Sequence, residues 1–334
     1  MWRKTFLLGL LLPSVSPLLF SSESYSDACD PRSLPDPLTL RPDRLTVLIN
    51  GYSEARLPLL RSLAASYATH PLVAAVLILW GNPSTPAAAL SSLATHGGAG
   101  GFAPISVHRQ PSPSLNARFL PRPNIRTRAV AVCDDDVEVE PRTLAFAFAV
   151  WRSRGGAALV GLFARSHDLD LEQRRWIYAM HPDRYSIVLT KFMILGTGYL
   201  RRYSCWGRLS EARRLVDRER NCEDILMNFV TAMESGAGPV LVGGRVRDWG
   251  DPRNNGGISN SSVDNGGRGV VGIERVGLSA RGGHRKKRGD CITEFHRMLG
   301  EMPLRYSYGK VVDGVGEQGL CRKGGRLVLC DHQE

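Results

Sequence analysis

Apolar residues recur along this chain in two rhythms, and the alternation between them outlines its architecture. Leu45–Asn50 (LTVLIN) is a short run rich in β-branched residues that ends at Gly51, a strand feeding a loop. Leu57, Leu60, Leu63 and Ala64 then fall on one face of a helix spanning Leu57–Tyr67. Val73–Trp80 (VAAVLILW) is a second apolar run, closed by Gly81-Asn82-Pro83. Strand, helix and strand in that order predict a βαβ unit and a parallel sheet. Ala87–Leu93 reads as a second helix, and Ala129–Cys133 as another central strand. Pro141 suits the first position of a helix, and Leu144, Phe148 and Trp151 follow at i, i+4 and i+7 before Gly155-Gly156 closes it. Ala158–Phe163 and Ser186–Met193 read as further strands. Asn221 begins a helix with Ile225, Leu226, Phe229 and Met233 on one face, and Asp290 begins another that buries Ile292, Phe295, Met298 and Leu299.

Composition adds compartment and scale. A chain of 334 residues buries a sizeable core as one large domain or two smaller ones, and 43% hydrophobic with 22% charged residues is ordinary for a globular protein. The net charge of +11 is largely local, because Arg281, Arg285, Lys286, Lys287 and Arg288 supply five charges within eight residues. In a cytosolic chain that patch would suggest nucleic-acid binding. The N-terminus argues against it: Arg3 and Lys4 precede an apolar run, Phe6–Phe20, interrupted by Pro13 and Pro17. This is short and broken for a bilayer span, so residues 1–26 are expected to be a cleaved signal peptide rather than a membrane anchor. The remainder is expected in the lumen of the secretory pathway.

Seven cysteines in an oxidising compartment permit disulfides and leave one over. Cys133 lies within an apolar strand and reads as the buried free thiol, while Cys321 and Cys330 flank a turn that a local bridge would close. Residues 250–283 are rich in Gly and Asn and read as a loop or lid; Asn260-Ser261-Ser262 within it is a glycosylation sequon. No CxxC pair, phosphate loop or Gly-x-Ser-x-Gly elbow is present, so zinc, dinucleotide and serine-hydrolase chemistry have no anchor.

Three places carry candidate chemistry. AVAVCDDDVEVEP sets Asp134, Asp135 and Asp136 directly after a strand, where open α/β sheets gather their ligands. Three adjacent carboxylates repel one another unless a cation offsets them, and hard oxygen ligands suit Mg²⁺ or Mn²⁺ bridging two phosphates. The plain alternative is a solvated acidic turn before the Pro141 helix. Asn221-Cys222-Glu223-Asp224 likewise reads as a capping box, with Asn221 at the N-cap, or as a carboxylate held in a cleft. The basic patch ending at Arg288 reads as a solvated loop or as a clamp on an anionic diphosphate.

Taken in order, LTVLINGYSEARLPLL, VLILWGNPSTP, LNARFLP, AVAVCDDDVEVEPRTLAFAFAVW, YSIVLTKF, RNCEDILMNF and GDCITEFHRMLGEMPLRYSYGK resemble glycosyltransferase family 64, the exostosin-like catalytic domain, and especially its short plant members. The resemblance covers residues 44–310 and leaves 311–334 as a C-terminal tail. It implies a GT-A fold, Rossmann-like α/β with a mixed central sheet, and a retaining transferase that uses a nucleotide sugar and Mn²⁺ in the Golgi lumen. By motif, Asp136 resembles the metal ligand, with Asp134 and Asp135 beside the ribose and metal. Arg56, Asn82 and Arg118 resemble the residues that hold the nucleotide. Asp224 resembles the carboxylate at the reacting sugar, Arg288 the arginine reaching the diphosphate, and Cys222 and Cys291 a disulfide pair. UDP-N-acetylhexosamine is the first donor expected and GDP-mannose the second. The acceptor is expected to be a glycan or a glycolipid such as an inositolphosphoceramide, with membrane association and no nucleic-acid partner. Pro113 stands where relatives carry Asn, and Glu223-Asp224 replaces an Asp-Asp pair, which keeps open a non-catalytic lumenal binding protein.

Overall fold

The computed structural model describes residues 28–94, 102–250, 283–314, 320–323 and 325–329. The expected signal peptide, Asn260, most of the 250–283 loop and Cys330 lie outside them. Strands β1 (Arg41–Gly51), β2 (Val73–Trp80), β3 (Ile105–Arg109) and β4 (Thr127–Asp134) form the parallel half of a seven-stranded sheet. β5 (Val137–Val139) leaves that sheet, and the sheet's other half is β6 (Val160–Gly161), β11 (Phe192–Gly196) and β12 (Val240–Leu241). The strand order is β12-β6-β11-β4-β1-β2-β3, and β11 is antiparallel to both neighbours. The βαβ reading accounts for the parallel half, and the mixed sheet as a whole is the α/β arrangement that the resemblance implied.

Alternation along the central strands explains why both faces are covered. Val47, Ile49, Val76, Ile78, Ala131 and Cys133 enter one core with helix α1 (Leu57–Ala68) and helix α3 (Pro141–Ser153). Leu48, Leu77, Leu79, Val130 and Val132 enter the opposite core. There they meet α4 (Gly198–Cys205), α5 (Ser210–Glu219), α6 (Glu223–Ser235) and α7 (His284–Leu299); a short α2 (Ala87–Ser91) follows β2. Successive side chains of a strand point to opposite faces, so a continuous apolar run is what a doubly covered sheet requires. Among the described residues, no helix is long and apolar enough to cross a membrane.

Three expectations need correction. Ser186–Met193 is not one strand: Ile187–Val188 (β10) pairs with β7 (Ala164–Asp170) in a smaller sheet that also holds β8 (Arg175–Ala179), whereas β11 begins at Phe192 and joins the main sheet. Thr190-Lys191 is where the chain crosses between them. The last long helix begins at His284 and not at Asp290, so Arg285–Arg288 form its first turns rather than a loop. Gly289 inside that helix has a packing reason: a Cβ there would lie 2.8 Å from the Trp176 carbonyl oxygen, so glycine lets α7 lie against β8. Finally, Asn221 caps nothing in the expected way. The N-cap of α6 is Cys222, at φ 77°, without a side-chain cap bond.

Candidate active site

The parallel strands finish together, and their register sets Asn50 beside Asp134 and Gly51 beside Trp80. The acidic triplet therefore opens at the carboxyl ends of the sheet. Arg56, at the end of a short 3-10 turn before α1, reaches across to it. One guanidinium nitrogen lies 2.6 Å from Asp135 Oδ1 and 2.9 Å from Asp136 Oδ2. Asn82 lies just beyond the end of β2, beside the same edge, and its side chain accepts from the Ser84 N–H at 3.0 Å.

Arg118 comes from the 3-10 segment Leu115–Phe119 and donates to Asp134 Oδ1 at 3.0 Å while lying 3.5 Å from Glu223 Oε1. Its segment is fixed by polar contacts to distant helices. Asn116 donates to the Arg213 carbonyl and to Asp217, and the Tyr203 hydroxyl donates to Asn116. Glu223 also accepts from Thr190 Oγ1 at 3.2 Å. A chain of contacts thus runs from the triplet through Arg118 to the start of α6.

There the second cluster sits. Arg288 donates to Asp224 Oδ2 at 2.6 Å and to Asn221 Oδ1 at 2.9 Å, with its guanidinium 4.4 Å from the Tyr178 ring centre. Asn221 Oδ1 also accepts from the Cys222 N–H, and Asp224 Oδ1 from the Ile225 N–H. These bonds explain the failed capping box: both side chains are committed to Arg288 and to neighbouring amides. The Cys222–Cys291 disulfide ties the two helices beside this contact, as the resemblance implied. A second bridge, Cys29–Cys205, fixes the first described residues to α4, and among the described residues Cys133 is a buried free thiol.

Burial and charge act unevenly here. Burial pushes the Asp134 carboxyl up to about 7 against the opposing pull of Arg118, with Asp136, Glu223 and Asp135 adding to the rise. Burial also raises Asp135, against the pull of Arg56, and raises Glu223, against Arg118. Burial pulls Arg288 down, but Asp224 and Tyr178 outweigh it and hold its guanidinium above the ordinary range. Its Nε is buried without a hydrogen-bond partner.

The residues fit a hard divalent cation. Two carboxylates, Asp135 and Asp136, already converge on one cationic nitrogen. Among the described residues, no group of three or more acidic, histidine or cysteine side chains is placed to hold a metal ion. The fit therefore rests on one or two carboxylates, with water and phosphate oxygens left to complete the shell. Sequence reasoning missed Asn221 as an Arg288 ligand, Thr190 as a Glu223 donor, and the Lys191–Asp248 ion pair beside the triplet. Only Asn221 carried a signal, and its helix-start position pointed to the wrong partner.

An α/β enzyme with acid–arginine clusters at the carboxyl ends of parallel strands is the class this fold and site define. Residues 45–316 match the Glycosyl transferase family 64 domain. The chain belongs to that family, and its chemistry is glycosyl transfer. It is 55% identical over 311 residues to Glycosyltransferase family protein 64 C3 of Arabidopsis thaliana, covering 91% of each chain. It is 27% identical over 281 residues to Glycosylinositol phosphorylceramide mannosyl transferase 1 of the same plant, covering 80% of this chain and 76% of that one. Exostosin-1 of Pongo abelii is 34% identical over 205 residues, 60% of this chain and 26% of that protein.

Proposed function

We propose that the protein is a retaining, Mn²⁺-dependent hexosyltransferase acting on a glycan or glycolipid in the secretory pathway. The observation that carries this reading is the convergence of Asp135 and Asp136 on one cationic position at the sheet's carboxyl edge, linked through Arg118 and Glu223 to the Asp224–Arg288 pair. Asp136 would hold the metal, with Asp134 and Asp135 beside it, and the bound ion would neutralise charge on the departing diphosphate. Arg56, Asn82 and Arg118 hold the nucleotide in this reading. Asp224, oriented by Arg288, presents negative charge to the reacting sugar or positions the acceptor. Arg288 carries the positive charge of that end and supports the leaving group.

The two disulfides support an oxidising compartment such as the Golgi lumen. The name of the Arabidopsis mannosyl transferase favours mannose as the sugar and an inositol phosphorylceramide as the acceptor, so GDP-mannose moves ahead of UDP-N-acetylhexosamine as the donor to test first. Purified protein with Mn²⁺ and a nucleotide-sugar panel tests the reading by transfer or donor hydrolysis. Calorimetry with UDP and GDP runs beside it. Binding without turnover across the panel would replace the enzyme by a non-catalytic lumenal partner. Asp136→Ala should remove Mn²⁺-dependent nucleotide binding, and unchanged affinity rejects Asp136 as the ligand.

A further inference from the structure

We infer that Gly250 and the Lys191–Asp248 pair are positioning residues that fix the Asp136 carboxylate; this rests on the assignment of the metal to Asp136. The segment from Val242 to Gly250 is sewn down along its length. The Val242 N–H donates to the Gly161 carbonyl, the Gly243 N–H to the Val311 carbonyl, and the Arg245 N–H to Thr143 Oγ1, each at 2.9 Å. Val246–Asp248 then pairs antiparallel with β5, directly after the triplet, and sets Asp248 opposite Val137. The next residue reaches the triplet itself, since the Trp249 N–H donates to the Asp136 carbonyl at 2.8 Å.

Gly250 completes the approach. A Cβ there would lie 3.1 Å from Asp136 Cγ, closer still to Oδ2, and 3.3 Å from Asp248 Oδ1. The backbone therefore packs flat against the carboxylate, and any side chain would push it aside. Asp248 is buried and accepts from the Gly250 N–H at 3.1 Å, while its other oxygen is ion-paired to Lys191. A buried carboxylate keeps such a place only with a partner, so Lys191 holds Asp248, and Asp248 holds Gly250. Lys191 is itself registered to the triplet, because its carbonyl accepts from the Asp134 N–H. Strand pairing alone would anchor the segment; the pair and the glycine add the orientation of one carboxylate. Partners of this kind behind a metal ligand are worth about ten- to a hundredfold in metal affinity.

The test is Mn²⁺ affinity, read from the paramagnetic resonance of free Mn²⁺ with saturating UDP or GDP, on the full chain. Gly250→Ala should weaken Mn²⁺ binding by about tenfold or more with an unchanged melting temperature. Lys191→Met should weaken it similarly, and Lys191→Arg should restore most of it. Wild-type affinity in both Gly250→Ala and Lys191→Met, beside a clear loss in Asp136→Ala, overturns this inference alone. Wild-type affinity in Asp136→Ala overturns the metal assignment and this inference with it. Should Gly250→Ala fail to fold, the Lys191 pair of variants decides.

Discussion

Two arginine–carboxylate clusters are linked through Arg118 and Glu223, and they are built differently. At the sheet edge, Arg56 is 36% exposed and shares one nitrogen between two adjoining aspartates that are themselves 7% and 15% exposed. At the start of α6, Arg288 and Asp224 are 6% and 5% exposed and closed in by Asn221, Tyr178 and a disulfide. A cation that faces water on one side can be exchanged for another, whereas a pair sealed on both sides is costly to break because one charge is left buried. The open cluster therefore suits a metal and a nucleotide that come and go. The sealed cluster suits a charge that must already be in place when they arrive.

Arg288→Met is expected to show the largest effect, about 3–5 kcal/mol of lost stability, since Asp224 would remain buried without its partner. Urea unfolding measures it, and Asp224→Asn added to that variant should recover much of the loss. Removing the Cys222–Cys291 bridge by a double Cys→Ala change comes next. A 69-residue closure is worth about 4 kcal/mol in the chain-entropy model, and about 3 is the expected loss once denatured-state structure is allowed for. A change under about 1 kcal/mol would show that the bridge leaves the sealed cluster to stand by itself.

Acid gives a graded test of the same half of the molecule. His167 bonds Ser186 Oγ at 2.6 Å and stacks on Tyr306. Burial lowers its imidazole from 6.5 to about 4, against the pull of Asp168 and with a further push from Arg184. Between those values the unfolded chain takes up a proton that the folded chain refuses. This contribution is thus complete above pH 6.5 and is lost as pH falls to 4, about 3 kcal/mol. The stability difference between wild type and His167→Gln should narrow across that window, and a pH-independent difference would refute it. Arg56→Met is expected to cost less than Arg288→Met, because Arg56 is the water-facing partner even though Asp135 behind it is buried, while weakening nucleotide binding. A loss as large as that of Arg288→Met would erase the distinction between the clusters.

Legibility in the sequence follows the same division. β2 and the start of α3 were readable to the residue, because Val73–Trp80 is an unbroken apolar run and Pro141 marks a helix start. β1 and β4 were readable to within a few residues. The triplet's place at a strand end was legible for the same reason. The second half was not so plain. Arg285–Arg288 hid the start of α7, since a basic first turn runs against the helix dipole and carries no apolar stripe. The break at Thr190-Lys191 was hidden because both strands it joins are apolar.

What the sequence determined by itself was the set of local elements, the carboxylates at a strand end, and a family pattern specific enough to name Cys222, Asp224, Arg288 and Cys291 together. Local periodicity and short motifs survive in one dimension because neighbours in the chain impose them. Tertiary structure alone decided which charge meets which: Arg56 on Asp135 and Asp136, Arg118 between Asp134 and Glu223, Asn221 on Arg288 instead of a helix amide, and Lys191 on Asp248. Those pairings join residues 16 to 105 positions apart, and most of them have a buried partner. Neither the separation nor the burial is written in the spacing of any single segment.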